Sequence, residues 1–248
     1  MRDRLIPTLV VSVSVVLSSL RLDAQGNPRR VSEIAPPQGW TRVPLDTGSF
    51  GEWLRALPLK DRPVIRAYDG TTVESPLFRV LAVVDMPLLF RRDLEQCADF
   101  CMRFWAEYHK ERGRLNDLSL FTYAGKKIRF HGSGLSYTAF LRRTFSSANS
   151  FSLKRGCKAV AEHDLAPGDM IVQNERGGLG HVSLILDECR SPTGARAYLV
   201  GFSFMPAQEF HIEYAAPPYG IGGWFTMEGF VRWLSEHLDV GTPVFRRF

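Results

Sequence analysis

The sequence predicts a single α+β domain in which a helix packs on an antiparallel sheet. Residues 170–172 and 181–187 are β-branched, apolar runs separated by Asn174, Gly177, Gly178 and Gly180, the pattern of strand, loop and strand. Apolar residues at 94, 97, 98, 101, 102, 105 and 108 recur at i, i+3, i+4 and define an amphipathic helix. A chain of 248 residues with 45% hydrophobic and 12% aromatic content can bury a full core. No internal repeat or shift in composition marks a second domain.

Arg2 and Arg4 precede an apolar run from Leu5 to Leu20, and Ala24 stands before a cut at Gln25, so residues 1–24 read as a secretory signal peptide. As a helix that run reaches only about 24 Å, short of a hydrocarbon core of about 30 Å. No cysteine follows it to carry a lipid anchor. A periplasmic or secreted protein is expected, with no stable membrane insertion after cleavage. Residues 25–39 form a polar, Pro-rich lead-in (Pro28, Pro36, Pro37), and residues 40–248 form the domain.

Within the domain, Ser49 can cap a short helix that Pro58 ends. Val64–Tyr68 and Arg79–Val84 read as strands, with Asp69-Gly70 as the turn signal between them. Asp93 as N-cap with Gln96 three residues on resembles a capping box for the amphipathic helix. Cys97 then lies in the first turn, where free N–H groups and the helix dipole favour a thiolate. Core packing is the plain alternative, since Cys97 sits on the apolar stripe.

In the second strand of the central pair, strict alternation puts His181, Ser183, Ile185 and Asp187 on one face. Val182, Leu184 and Leu186 take the other. His181, at a strand start after a flexible glycine loop, is placed to act as a base; a histidine simply hydrogen-bonded at a strand end is the alternative. If Asp187 and Ala197 bound a hairpin loop, antiparallel pairing sets Ser203 opposite His181 on the same face.

The remaining signals exclude more than they assign. The net charge is +5, but the basic residues are scattered as pairs such as Arg142-Arg143 and Arg246-Arg247, which reads as solvated surface and not as a nucleic-acid site. The histidines show no zinc spacing, and Gly177-Gly178-Leu179-Gly180 precedes a strand, not a helix, so neither a metal nor a phosphate-bearing cofactor is expected. An oxidising compartment permits disulfides. Cys97 and Cys101 stand i, i+4 on one helix, a spacing poor for a bridge. Cys157 and Cys189 flank the central strand pair and are the better-placed partners, with both free as the alternative.

Ser49-Phe50-Gly51-Glu52-Trp53-Leu54-Arg55, Leu57-Pro58-Leu59-Lys60, Tyr68-Asp69-Gly70, Gln96-Cys97-Ala98-Asp99 and Arg103 follow in order along the chain. Gly168-Asp169, Gly180-His181-Val182, Asp187 and Met205-Pro206-Ala207-Gln208-Glu209 come after them. From about residue 35 onward this resembles domain-of-unknown-function family 4846 of secreted bacterial proteins, which implies no activity. The chain departs from that pattern around Phe130-His131-Gly132-Ser133-Gly134, where more tryptophan is expected.

A cysteine near a helix start, then Pro167-Gly168-Asp169 with an apolar strand, then Gly180-His181-Val182 with another, also resembles the NlpC-type and CHAP-type papain-like peptidases and amidases. That resemblance implies a papain-like α+β fold with an N-terminal extension and a helical insertion at about 113–160. It also implies Cys97 as nucleophile, His181 as base and a polar residue orienting the base. The interval from Cys97 to His181 is longer than usual in that group, and Cys97 lacks the Asp-Cys-Ser neighbourhood common there. Gln208, in the stretch that matches the uncharacterised family, is preferred as the orienting residue because its amide oxygen suits an imidazole N–H; Ser203 is the alternative. The expected function is a secreted cysteine hydrolase of amide bonds, with peptidoglycan or a peptide as substrate. The rival is a non-catalytic papain-like module that binds a cell-wall component or a partner protein.

Overall fold

The computed structural model describes residues 27–248, so the signal-peptide segment lies outside the described residues. In chain order the first elements are β1 (Thr41–Arg42), α1 (Phe50–Arg55), β2 (Val80–Val83), α2 (Cys97–Glu111), β3 (Ser119–Phe121) and β4 (Lys127–Arg129). Then come α3 (Tyr137–Phe145), α4 (Ser150–Gly156), β5 (Lys158–Ala159), β6 (Met170–Gln173), β7 (His181–Arg190) and β8 (Arg196–Phe202). The last are β9 (His211–Glu213), β10 (Gly220–Ile221), β11 (Trp224–Phe225), α5 (Met227–His237) and β12 (Pro243–Arg247). The fold is mixed α+β, as expected.

Among the described residues ten strands form one antiparallel sheet, whose main path runs β10-β11-β8-β7-β6-β12-β5. β1 also pairs with β7, while β9 extends from β8 and carries β2. The long strand β7 is the spine, and both faces of it are buried. On one face Val182, Leu184 and Leu186 pack with Leu54 of α1, Phe100 and Phe104 of α2 and Leu153 of α4. On the other, Ile171, Ile185, Val200 and Phe202 pack with Phe230, Trp233 and Leu234 of α5. The sheet therefore runs between two helical layers, and α2 lies directly on β7.

Local signals place most elements. The Ser49 hydroxyl accepts the Glu52 N–H at 3.1 Å and starts α1, which ends at Arg55, ahead of Pro58. The Pro-rich lead-in is docked: Val31 and Ile34 are buried in the α1–α2 core. Three expectations are corrected. Val64–Tyr68 does not pair with β2; the Ala67 N–H closes a tight turn on the Thr71 carbonyl at 2.8 Å, and β2 pairs with β9 instead. The segment at about 113–160 is not wholly helical: after a 3-10 turn at Leu115–Asp117 it forms the β3–β4 hairpin around Gly125, ahead of its two α-helices. All four cysteines are free and buried. Cys157 lies towards Cys101 on the α2 side, whereas Cys189 lies beside Asp187 and Arg42, so the two are held apart.

A fourth correction concerns β7 itself. The pairing Ile185↔Val200 is followed by Asp187↔Leu199, a bulge that inserts Leu186 as an extra residue. Asp187 is thereby turned onto the α1 face, away from the face of His181. There its fully buried carboxylate accepts Arg42 Nε at 2.6 Å, Arg55 Nε at 2.9 Å and the Glu188 N–H at 2.8 Å. The pairing also ends at Leu184↔Gly201, so Ser203 falls beyond β8 and does not face His181.

Removing the Asp187 carboxylate leaves two largely buried guanidinium groups with no counter-charge, which costs about 3–5 kcal/mol for a buried pair. Asp187→Ala is expected at the lower end, because Arg42 and Arg55 keep 21% and 17% side-chain exposure. The check is the urea midpoint at unchanged slope. A shift worth under about 1 kcal/mol contradicts the assignment.

Candidate functional site

Helix α2 begins later than its sequence suggests. Cys97 is its first residue, Gln96 is the N-cap, and Asp99 reaches back to accept the Gln96 N–H at 3.2 Å. Asp93 is not the cap because its Oδ1 is taken by the Ala207 N–H at 2.6 Å and Gln96 Nε2 at 2.9 Å. Behind this turn, Glu95 is fully buried and accepts Arg103 Nη1 at 2.7 Å and the Phe90 N–H at 3.1 Å. Side chains thus brace the first turn of α2 from behind and leave one side open.

On the open side lies a cleft of about 400 Å³, lined by Asp93, Cys97, Asp99, Asn149, Gly180 and Met205 among others. Its second wall is the start of α4, where Asn149 Oδ1 accepts the Phe151 N–H at 2.9 Å and its Nδ2 donates to the Gly177 carbonyl at 3.2 Å. The rim is the Gly177–Gly180 loop. Asn174 fastens it by accepting the Gly177 N–H at 2.6 Å and donating to the Gly178 carbonyl at 3.0 Å. Two of its glycines are obligatory. Gly177 has φ +92° and a Cβ there would lie 2.0 Å from the Tyr123 hydroxyl; at Gly180 a Cβ would lie 2.4 Å from both the Gln173 carbonyl and Ser150 Oγ.

The four residues expected to carry chemistry are placed as follows. Cys97 lines the cleft but is 6% exposed. Burial pushes its thiol up to about 12; hydrogen bonding from the Val182 backbone works the other way, and Asp99 adds to the rise. His181 pairs with Gln173 across β6–β7 and so shares its face. Gln173 Nε2 donates to the carbonyls of Leu238 and Gly241 at the end of α5, at 2.9 and 3.1 Å. The His181 ring accordingly packs on Phe202, centroids 5.0 Å apart, and on Phe204 at 5.6 Å, in the α5 layer. The sheet stands between it and α2. Ser203 donates its hydroxyl to the Gln208 carbonyl at 2.6 Å, and the Gln208 Nε2 has no partner among the described residues. The structure therefore brings Cys97 to a cleft and Ser203 to Gln208, and packs the His181 ring on Phe202 and Phe204.

The far side of the sheet holds its own polar group. His181 and His211 are both buried, and both pack on Phe202. Burial holds each down to about 3, the neighbouring His211 adding to the effect on His181. His211 Nε2 lies 3.2 Å from Glu213 Oε2, and burial pushes that carboxyl up to about 8. Near neutral pH this is an uncharged interior cluster. Among the described residues no group of three or more His, Cys, Asp or Glu side chains is arranged to hold a metal.

Sequence reasoning passed over Asp99, Asn149 and Leu179. Asp99 and Asn149 occupy capping positions, and the Asn149–Ser152 spacing was a readable signal for the start of α4. Leu179, an apolar residue between glycines, gave no periodic signal.

The sequence model of a family described as Domain of unknown function (4846) matches residues 31–134 and 131–235. The chain belongs to that family. No curated protein and no solved structure matches it.

Because His181 binds its proton near pH 3 when folded and near 6.5 when unfolded, its neutral burial contributes stability that is present above about pH 6.5 and lost as the pH falls towards 3. The expected slope is about 1.4 kcal/mol per pH unit within that window. Denaturation curves from pH 7 to 4.5 should show His181→Asn losing less stability on acidification than the wild type, by about 1 kcal/mol or more. Parallel curves for the two proteins contradict the neutral buried histidine.

Proposed function

We propose that this family member is a ligand-binding module of the periplasm or the secreted space, with its seat in the cleft at the start of α2. Its ligand is a cell-wall component. The observation that carries this reading is the side of β7 on which the His181 ring lies. A cysteine hydrolase needs a base within about 2.6–3.2 Å, or slightly more for sulfur, of the thiol it activates. Here the ring is in the α5 layer and the thiol is in the α2 layer. The thiol is also nearly closed off and held protonated, whereas reactive cysteines are partly exposed and electropositively surrounded.

The finer, papain-like reading of the fold belongs to this proposal in a binding-only form. Its support is the order of elements: a helix opening on Cys97, then antiparallel strands with His181 at the head of β7. One observation favours the hydrolase reading, namely that Cys97 is the first residue of α2 and borders the cleft. It supplies a nucleophile's address without its activation. No helix among the described residues is long and apolar enough to cross a membrane.

The test uses the chain from Gln25 onward. Near pH 7.5, Cys97 should alkylate no faster than Cys101, read by mass spectrometry. Soluble wall fragments should remain uncut by the wild type, and Cys97→Ala should bind them as tightly as the wild type in calorimetry. Amide hydrolysis that disappears in Cys97→Ala overturns the proposal, and so does a failure of both proteins to bind any fragment.

A further inference from the structure

We infer that the α2 cleft recognises a free ammonium group next to an apolar group, with Asp99 and Asp93 meeting the ammonium and Leu179 and Met205 covering the apolar part. This rests on the binding reading above and assigns the ligand's chemistry. The first observation is an unsatisfied atom. Asp99 lines the cleft and is 6% exposed, its Oδ2 accepts the Gln96 N–H, and its buried Oδ1 has no partner among the described residues. A buried carboxyl oxygen without a donor is costly, and a ligand that supplies N–H groups removes that cost. An ammonium offers three donors and no acceptor.

The second observation is the sign of the lining. It includes the carboxylates of Asp93 and Asp99 and no lysine or arginine. Glu95, fully buried behind the first turn of α2, has its charge answered by Arg103, so the negative character of the empty cleft comes from Asp93. In the empty cleft, burial together with nearby Glu95 pushes the Asp99 carboxyl well above the usual range, although the Gln96 N–H pulls it down. A bound cation reverses that balance, and the resulting charge-assisted hydrogen bond is about twice as strong as a neutral one.

The third observation concerns the rim. Leu179 is 66% exposed and Met205 is 39% exposed, and both border this cleft. Exposed apolar side chains flanking a polar floor favour a ligand with both characters. Leu179 is carried on the Gly177–Gly180 loop that Asn149 and Asn174 tie down at Gly177 and Gly178.

Three small probes separate the contributions: leucinamide; N-acetyl-leucinamide, in which the ammonium becomes an uncharged amide; and glycinamide, which keeps the charge without the apolar group. Binding is read from the amide resonances of Cys97, Ala98, Gly178 and Gly180 in the full mature chain. Leucinamide should shift these signals, with affinity at least tenfold above that of the acetylated probe and severalfold above that of glycinamide. Asp99→Asn keeps an acceptor for the Gln96 N–H and should lose the preference for the free amine. If that variant does not fold, the acetylation comparison on the wild type decides alone. Equal binding of the acetylated probe, or an unchanged preference in folded Asp99→Asn, overturns the ammonium assignment while leaving a cleft that binds. Wall-fragment binding with no probe shifting these amides also overturns it, because the ligand then sits elsewhere.

Discussion

The carboxylate of Asp187 holds the architecture in register. It has no exposure, and it is met by Arg42 from β1, Arg55 from α1 and the backbone of its own strand. A charge so placed is tolerated only when fully paired, so the N-terminal segment and α1 cannot drift from β7 without exposing a large penalty. Arg42 extends the tie by donating to the Val31 and Ile34 carbonyls, which docks the lead-in. Once α1 is fixed, Trp53 and Phe50 pack on Phe104, Trp105 and Tyr108 of α2, and the helix that carries Cys97 is aimed across the sheet.

Much of this was legible in the residues, and the division is physical. Periodicity and capping are local, so the Ser49 cap, the apolar stripe of α2 and the 170–172 and 181–187 strands could be read directly. The bulge at Leu186 could not, because it obeys the fit of β7 against β8 and leaves no mark on alternation. Alternation sorted His181 from Val182 correctly but could not say which of the two faces α2 would cover. When both faces of a strand are buried, the sequence carries no local label for them. The address of Cys97 at a helix start was readable, whereas Asp99 and Asn149 join it through capping and through contacts with distant loops.

The two faces of β7 show how differently polar groups can be kept inside. On the α1 side charges are retained and paired. On the α5 side His181, His211 and Glu213 are held towards their neutral forms by burial itself. The cleft is intermediate. Its Asp99 is only partly satisfied by a capping bond, while its walls are tied by Asn149, Asn174 and the two crowded glycines. Rigid walls around an incompletely satisfied floor lower the ordering cost that binding must overcome.

The Arg42–Asp187 tie also determines how the chain can be divided. The family match falls in two stretches that meet at residues 131–134, which invites a cut there. The first stretch holds α1 and α2 but neither β7 nor β8, so their apolar faces would have nothing to cover them. The second holds β7 and α5 but leaves the Asp187 carboxylate in a core stripped of both arginines. Each fragment would thus expose what only the other can bury.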